Sequence, residues 1–268
     1  MSTPEFLSAI LDYRLELALW VLASIVVYGI TVNLRHRLRQ APSSRLGRSL
    51  AALENSPHSL WLFQALRFLY YLCVPYLAVT RGVTDPTSMG MWAADWFDGH
   101  WLTELTLGLA LGLGALVLLI WGWRHYLLAA RRLEPRWTTE PHVFERQVLA
   151  APWGWGLILL EVLYLEMHWA FYRSATIRFA GEYYGVFLGF LLVLGEWCLN
   201  PAIRTDLSMS RRAGEILTTI VIAFSISVVF YFTANLWLCI MVHLALQFGL
   251  LLFLALSCGL PYHEGEGH

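Results

Sequence analysis

Residues Thr233–Leu256 read TANLWLCIMVHLALQFGLLLFLAL, a run without one Asp, Glu, Lys or Arg. Its length suits a membrane crossing, which takes about 20 residues. Asn235, Cys239, His243 and Gln247 recur in it every fourth residue. At about 3.6 residues per turn, that spacing draws one slowly drifting polar stripe down a helix. Hydrocarbon is a poor surrounding for the stripe, because unpaired polar groups there cost several kcal/mol each. The stripe therefore faces other helices or a wet cavity. An ionisable histidine near mid-membrane marks a functional site by default. The plainer role is packing glue, a histidine hydrogen-bonded to a neighbouring helix.

The whole chain shares this character. Of its 268 residues, 58% are hydrophobic and only 14% charged, where a soluble domain carries about 25% charged residues. The expectation is an all-α polytopic bundle in the cell's inner (plasma) membrane, in contact with lipid. Net charge is -1, and no basic groove interleaved with aromatics suggests nucleic acid. Cys73, Cys198, Cys239 and Cys258 lie in or beside apolar runs without C-x-x-C spacing, which argues against a disulfide framework or a structural zinc site. The first apolar run, 15–34, is too long for a signal-peptide core and is followed by arginines. It is expected to stay as a helix.

Seven spans are expected, at about 15–34, 59–79, 103–123, 148–171, 182–199, 213–232 and 234–256. They form a three-span region (1–147), a four-span core (148–256) and a flexible tail (257–268). All 18 basic residues are arginines. Thirteen fall in the loops after spans one, three and five. Arg14, Arg81, Arg173 and Arg178 lie on the other side, and Arg67 sits within a span. The positive-inside rule then places the N-terminus outside and the C-terminus in the cytoplasm. Trp92, Trp96 and Trp101, with Asp95 and Asp98, read as an interfacial belt on the outer side. Arg45–Leu53 reads as a short amphipathic helix at the membrane surface. Gly108 and Gly112 form a small-residue face for close helix packing.

The fourth span is the second unusual one. It carries Glu161, Tyr164, Glu166 and His168 ahead of Arg173. Glu161, Tyr164 and His168 fall on one helix face; Glu166 and Arg173, seven apart, fall on another. Counted from the expected outer ends, Glu161 and His243 lie at matching depth, about 14–15 Å down at 1.5 Å per residue. Glu196 in the fifth span lies deeper. A buried carboxylate near neutral pH can act as a general base. A histidine beside it can serve an oxyanion, with Asn235 or Gln247 in support. Glu161, His168 and His243 could alternatively hold a metal, but no H-E-x-x-H signature is present.

The seventh span resembles the last motif of the CPBP family, the CAAX-processing and bacteriocin-processing membrane proteins. That family reads T-G-x-L-W, then H-x-x-x-N; this chain has Thr233-Ala234-Asn235-Leu236-Trp237, then His243 and Gln247. The family's E-E-x-x-x-R motif has its register at His168–Arg173. Phe171, Tyr172 and Arg173 fit it, while His168 and Trp169 replace the two glutamates. The family's F-x-x-x-H has Phe187 and Phe190 but Leu191 and Leu194 in place of the histidine. The resemblance covers about 150–255. It implies an intramembrane endopeptidase with a degenerate site, Glu161 or Glu166 as base and His243 and His168 as oxyanion or orienting groups. Tyr164 and Arg173 support them. No cofactor is implied. The other class is a non-catalytic or assembly subunit of a larger membrane complex, with other integral membrane proteins as partners. The missing motif residues and the 13 tryptophans favour it, and a histidine in a span could then ligate a pigment.

Overall fold

The computed structural model describes residues 3–56, 59–91, 100–133, 142, 148–149 and 153–258. Among them, all regular structure is helical: α1 (Thr3–Gln40), α2 (Arg45–Glu54), α3 (Ser59–Thr80), α4 (His100–Leu133), α5 (Gly154–Cys198), α6 (Pro201–Ser208), α7 (Ser210–Thr233) and α8 (Leu236–Cys258). Six of these, α1, α3, α4, α5, α7 and α8, are long and apolar enough to cross a membrane. The chain is a multi-pass membrane protein. The expected short helix after α1 is α2, whose start is capped by Ser44 Oγ accepting from the Gly47 N–H at 2.9 Å. Trp92, Trp96, Asp95, Asp98 and the tail beyond residue 258 lie outside the described residues.

The fourth and fifth apolar runs meet in α5. Its 45 residues would measure about 67 Å if straight, more than twice the hydrocarbon thickness of about 30 Å. It does not run straight. Gly181 adopts φ 78° and ψ 172°, a conformation that an L side chain rarely takes, and the chain doubles back there. The two legs touch backbone to backbone. A Cβ on Gly185 would lie 2.3 Å from Ile177 Cα, and one on Gly189 would lie 2.9 Å from Arg173 Cα. Thr176 Oγ1 donates to the Gly185 carbonyl at 2.6 Å and ties the legs together. Gly185→Ala is expected to force them apart and cost about 3 kcal/mol, the upper end of overpacking. Unfolding in detergent, compared with wild type, measures it.

The α7–α8 turn is equally tight. Ala234 sits in the left-handed region, φ 46° and ψ 25°, and donates its N–H to the Phe230 carbonyl. Left-handed backbone costs a residue with a Cβ roughly 1–2 kcal/mol, and a glycine gives part of that back as extra freedom when unfolded. Ala234→Gly is therefore expected to stabilise the protein by about 0.5–1 kcal/mol, read as a raised melting temperature. Asn235 is the cap of α8: its Oδ1 accepts from the Leu238 N–H at 3.1 Å.

The first leg of α5 is the central element, buried without a break from His168 to Thr176. α1, α3, α7 and α8 all pack against α5; α3 meets it at His168 and α8 at Glu166. α4 packs on α7 and α8, with Gly108 against Leu238 and Gly112 against Val242. The loop after α3 closes one end of the bundle. Gly90 accepts from the Leu236 N–H, Met91 accepts from Trp237 Nε1, and Thr84, Ser88 and Ser174 share hydroxyl hydrogen bonds.

Candidate functional site

A helix buried for about two and a half turns must satisfy its polar side chains from within the protein. Two acid–histidine pairs do this, on opposite sides of the first leg of α5. Glu166 and His243 come from α5 and α8. His243 Nδ1 lies 2.7 Å from Glu166 Oε1. The other oxygen, Oε2, accepts from Arg173 Nη2 at 3.3 Å. Side chains on a helix lean toward its N-terminus, so Arg173 reaches back two turns to its partner. Its guanidinium also lies 4.5 Å from the centre of the Phe230 ring. Trp169 stacks on His243, with ring centres 5.5 Å apart and planes 13° from parallel. Glu166, Arg173 and His243 are all buried, and His243 keeps the most side-chain exposure of the three, 4%.

The hydrogen bonds assign the His243 tautomer. A carboxylate only accepts, so His243 Nδ1 carries its proton toward Glu166. In the neutral ring, Nε2 then holds the lone pair. This is the arrangement in which a carboxylate orients an imidazole to take a proton.

The second pair joins the two legs of α5 to α3. His168 Nε2 lies 2.9 Å from Glu196 Oε2 and 3.2 Å from Oε1, while Nδ1 lies 3.1 Å from the Tyr71 carbonyl. A carbonyl only accepts, so Nδ1 is the donor there. The contact with Glu196 then needs one further proton, on Nε2 or on the acid.

Beside the first pair, α5 and α7 leave a crevice too narrow for a water molecule, lined by Trp169, Arg173, Gly189, Phe190 and Ser227 among others. Two N–H groups belong to residues of this lining: Trp169 Nε1 and Arg173 Nε. Both are buried, and neither has a hydrogen-bond acceptor. An orphaned buried donor costs about 1–3 kcal/mol, so either N–H group would gain from an acceptor.

The remaining residues singled out in the sequence fall elsewhere. Glu161, Tyr164 and His168 do share a face, and it meets α3: Glu161 pairs with Arg67, Tyr164 packs on Phe68 and His168 meets Tyr71. Glu161 is a third exposed and turned to Arg67, so equal counted depth does not bring it to His243. Glu166 and Arg173 pair with each other directly. Asn235 is a helix cap, and Gln247 is half-buried about one turn beyond His243. Trp169, which the sequence marks only as replacing a motif glutamate, and Glu196, marked only for its depth, both belong to the buried cluster. Among the described residues, no group of three or more His, Cys, Asp or Glu side chains comes together as a metal-ligand set. Compared with known protein families, curated proteins and solved structures, the chain matches none.

Proposed function

We propose that this protein is an intramembrane peptidase of the CPBP type, working through Glu166 and His243. The observation that carries the reading is the oriented Glu166–His243 pair beside two buried N–H donors that lack an acceptor. In place of the glutamate base that the resemblance implies, His243 Nε2 takes a proton from water as the water attacks a peptide carbonyl. Glu166 holds the ring in the required tautomer and stabilises the imidazolium that forms. Trp169 Nε1 and Arg173 Nε receive the developing oxyanion, the role that buried preorganised donors perform best. The proton then passes from His243 to the leaving amine. His168 and Glu196 hold the two legs and α3 in register around this site. Because the crevice is closed, substrate entry requires α7 and the second leg of α5 to part.

The membrane arrangement belongs to the same proposal. Counting both legs of α5, the chain crosses seven times; the reversal at Gly181 supports this count. The arginine distribution supports a cytoplasmic C-terminus. The test maps new protein N-termini in membranes of cells that make wild-type protein or His243→Ala. The expected result is a set of termini, within or next to apolar segments, that the variant lacks. Identical termini in both would refute the peptidase.

A further inference from the structure

At the end of the bundle where α1 stops, two adjoining cavities of about 540 and 270 Å³ share Arg35, Arg39, Arg67 and Glu161 in their walls. We infer that this double cavity binds the headgroup of an anionic phospholipid from the adjacent leaflet, of the phosphoglycerol type. The inference is independent of the peptidase reading.

Charge is the first argument. Glu54 bridges two guanidiniums, with Arg35 at 3.2 Å and Arg39 closer still, and Arg67 pairs with Glu161. Burial works against ionisation of Glu54, but hydrogen bonds from Arg39 and Arg35 outweigh it and hold the carboxyl below its usual range. Asp206, which also lines the larger cavity, is paired with Arg212. With the Asp206–Arg212 pair set aside, three guanidiniums face two carboxylates, Glu54 and Glu161. The surplus is one positive charge, the complement of one phosphodiester. Guanidiniums are the side chains best matched to phosphate oxygens.

Unmet hydrogen bonds are the second argument. Arg35 Nε is a buried donor with no acceptor. Gln64 is 8% exposed; its Nε2 donates to the Leu157 carbonyl, which fixes the amide and leaves Oε1 a buried acceptor with no donor. Both residues line the larger cavity. A phosphate oxygen satisfies Arg35, and a headgroup hydroxyl satisfies Gln64. Phe63, Leu157 and Ile158 supply an apolar wall, which suits the glycerol and first acyl carbons.

The test uses the full chain in nanodiscs of phosphatidylcholine containing a minority of phosphatidylglycerol, and native mass spectrometry of the released protein. Wild type is expected to keep phosphatidylglycerol over phosphatidylcholine. Arg35→Gln should lower that preference about fivefold, since one arginine near an anionic surface contributes about 1 kcal/mol, and Arg35→Gln with Arg39→Gln should abolish it. Glu54→Gln changes the surplus charge the other way and should raise the preference, an outcome that impaired folding would not produce. Unchanged retention in the double arginine variant, or a lower preference in Glu54→Gln, would overturn the site. Displacement of the lipid by soluble glycerol 3-phosphate would overturn the assignment to a lipid and point to a free phosphate ester.

Discussion

Glu166→Gln is expected to reduce cleavage by about 10⁴-fold, the scale of loss when the carboxylate that orients a catalytic histidine becomes an amide. The amide keeps the size of the side chain but can offer its N–H₂ to His243, which favours the wrong tautomer. The Nε2 lone pair is then no longer presented to water. Binding should change far less, so the loss should fall on kcat and leave KM close to wild type. Glu161→Gln is the paired control. Glu161 faces Arg67 at the polar cavity, and its variant should cleave at close to the wild-type rate. A single-turnover assay on a membrane-spanning peptide, carrying the site found by N-terminal mapping, distinguishes the two. Loss in Glu161→Gln with activity kept in Glu166→Gln would reverse the assignment.

Arg173→Ala should be the most destabilising of the single substitutions, by about 3–5 kcal/mol, because removing one member of a buried ion pair strands the other's charge. Arg173 is 1% exposed and Glu166 is wholly buried, so the stranded carboxylate has no access to water. The lost cation–π contact with Phe230 adds to the cost. Replacing both partners with apolar residues, Glu166→Leu with Arg173→Met, should recover much of the loss, since buried pairs are often matched by well-packed hydrophobic groups. Such a variant would fold and not cleave, which separates the pair's role in chemistry from its role in packing. Reversible unfolding in mixed detergent micelles gives all three values. A cost for Arg173→Ala below about 1 kcal/mol, the range of exposed pairs, would show that the guanidinium reaches water.

Local features of this structure were legible in the sequence, and long-range register was not. Helical periodicity alone places Glu161, Tyr164 and His168 on one face, and that face meets α3. Apolar runs locate the long helices, and the glycines at 108 and 112 mark a face that α8 packs against. Which acid meets His243 depends on where α5 turns. The apolar run ends near residue 171, but the leg continues to Gly181, through Arg173 and Arg178. Depth counted from 171 selects Glu161; counted from the true turn, Glu161 lies too far down and Glu166 is the nearer acid. The same turn explains His168 and Glu196. Residues at similar distances on either side of Gly181 face each other, as Gly189 faces Arg173, and Glu196 thereby meets His168. Nothing in the local pattern around Trp169 announces an indole stacked on a histidine from another helix.

The most direct measurement is the single-turnover cleavage rate of Glu166→Gln, His243→Ala and the variant carrying both. If Glu166 and His243 act as one proton-accepting unit, the double variant will be no slower than His243→Ala alone, because residues that work together are non-additive. If the two losses multiply, or if His243→Ala cleaves at the wild-type rate, Glu166 and His243 do not form that unit.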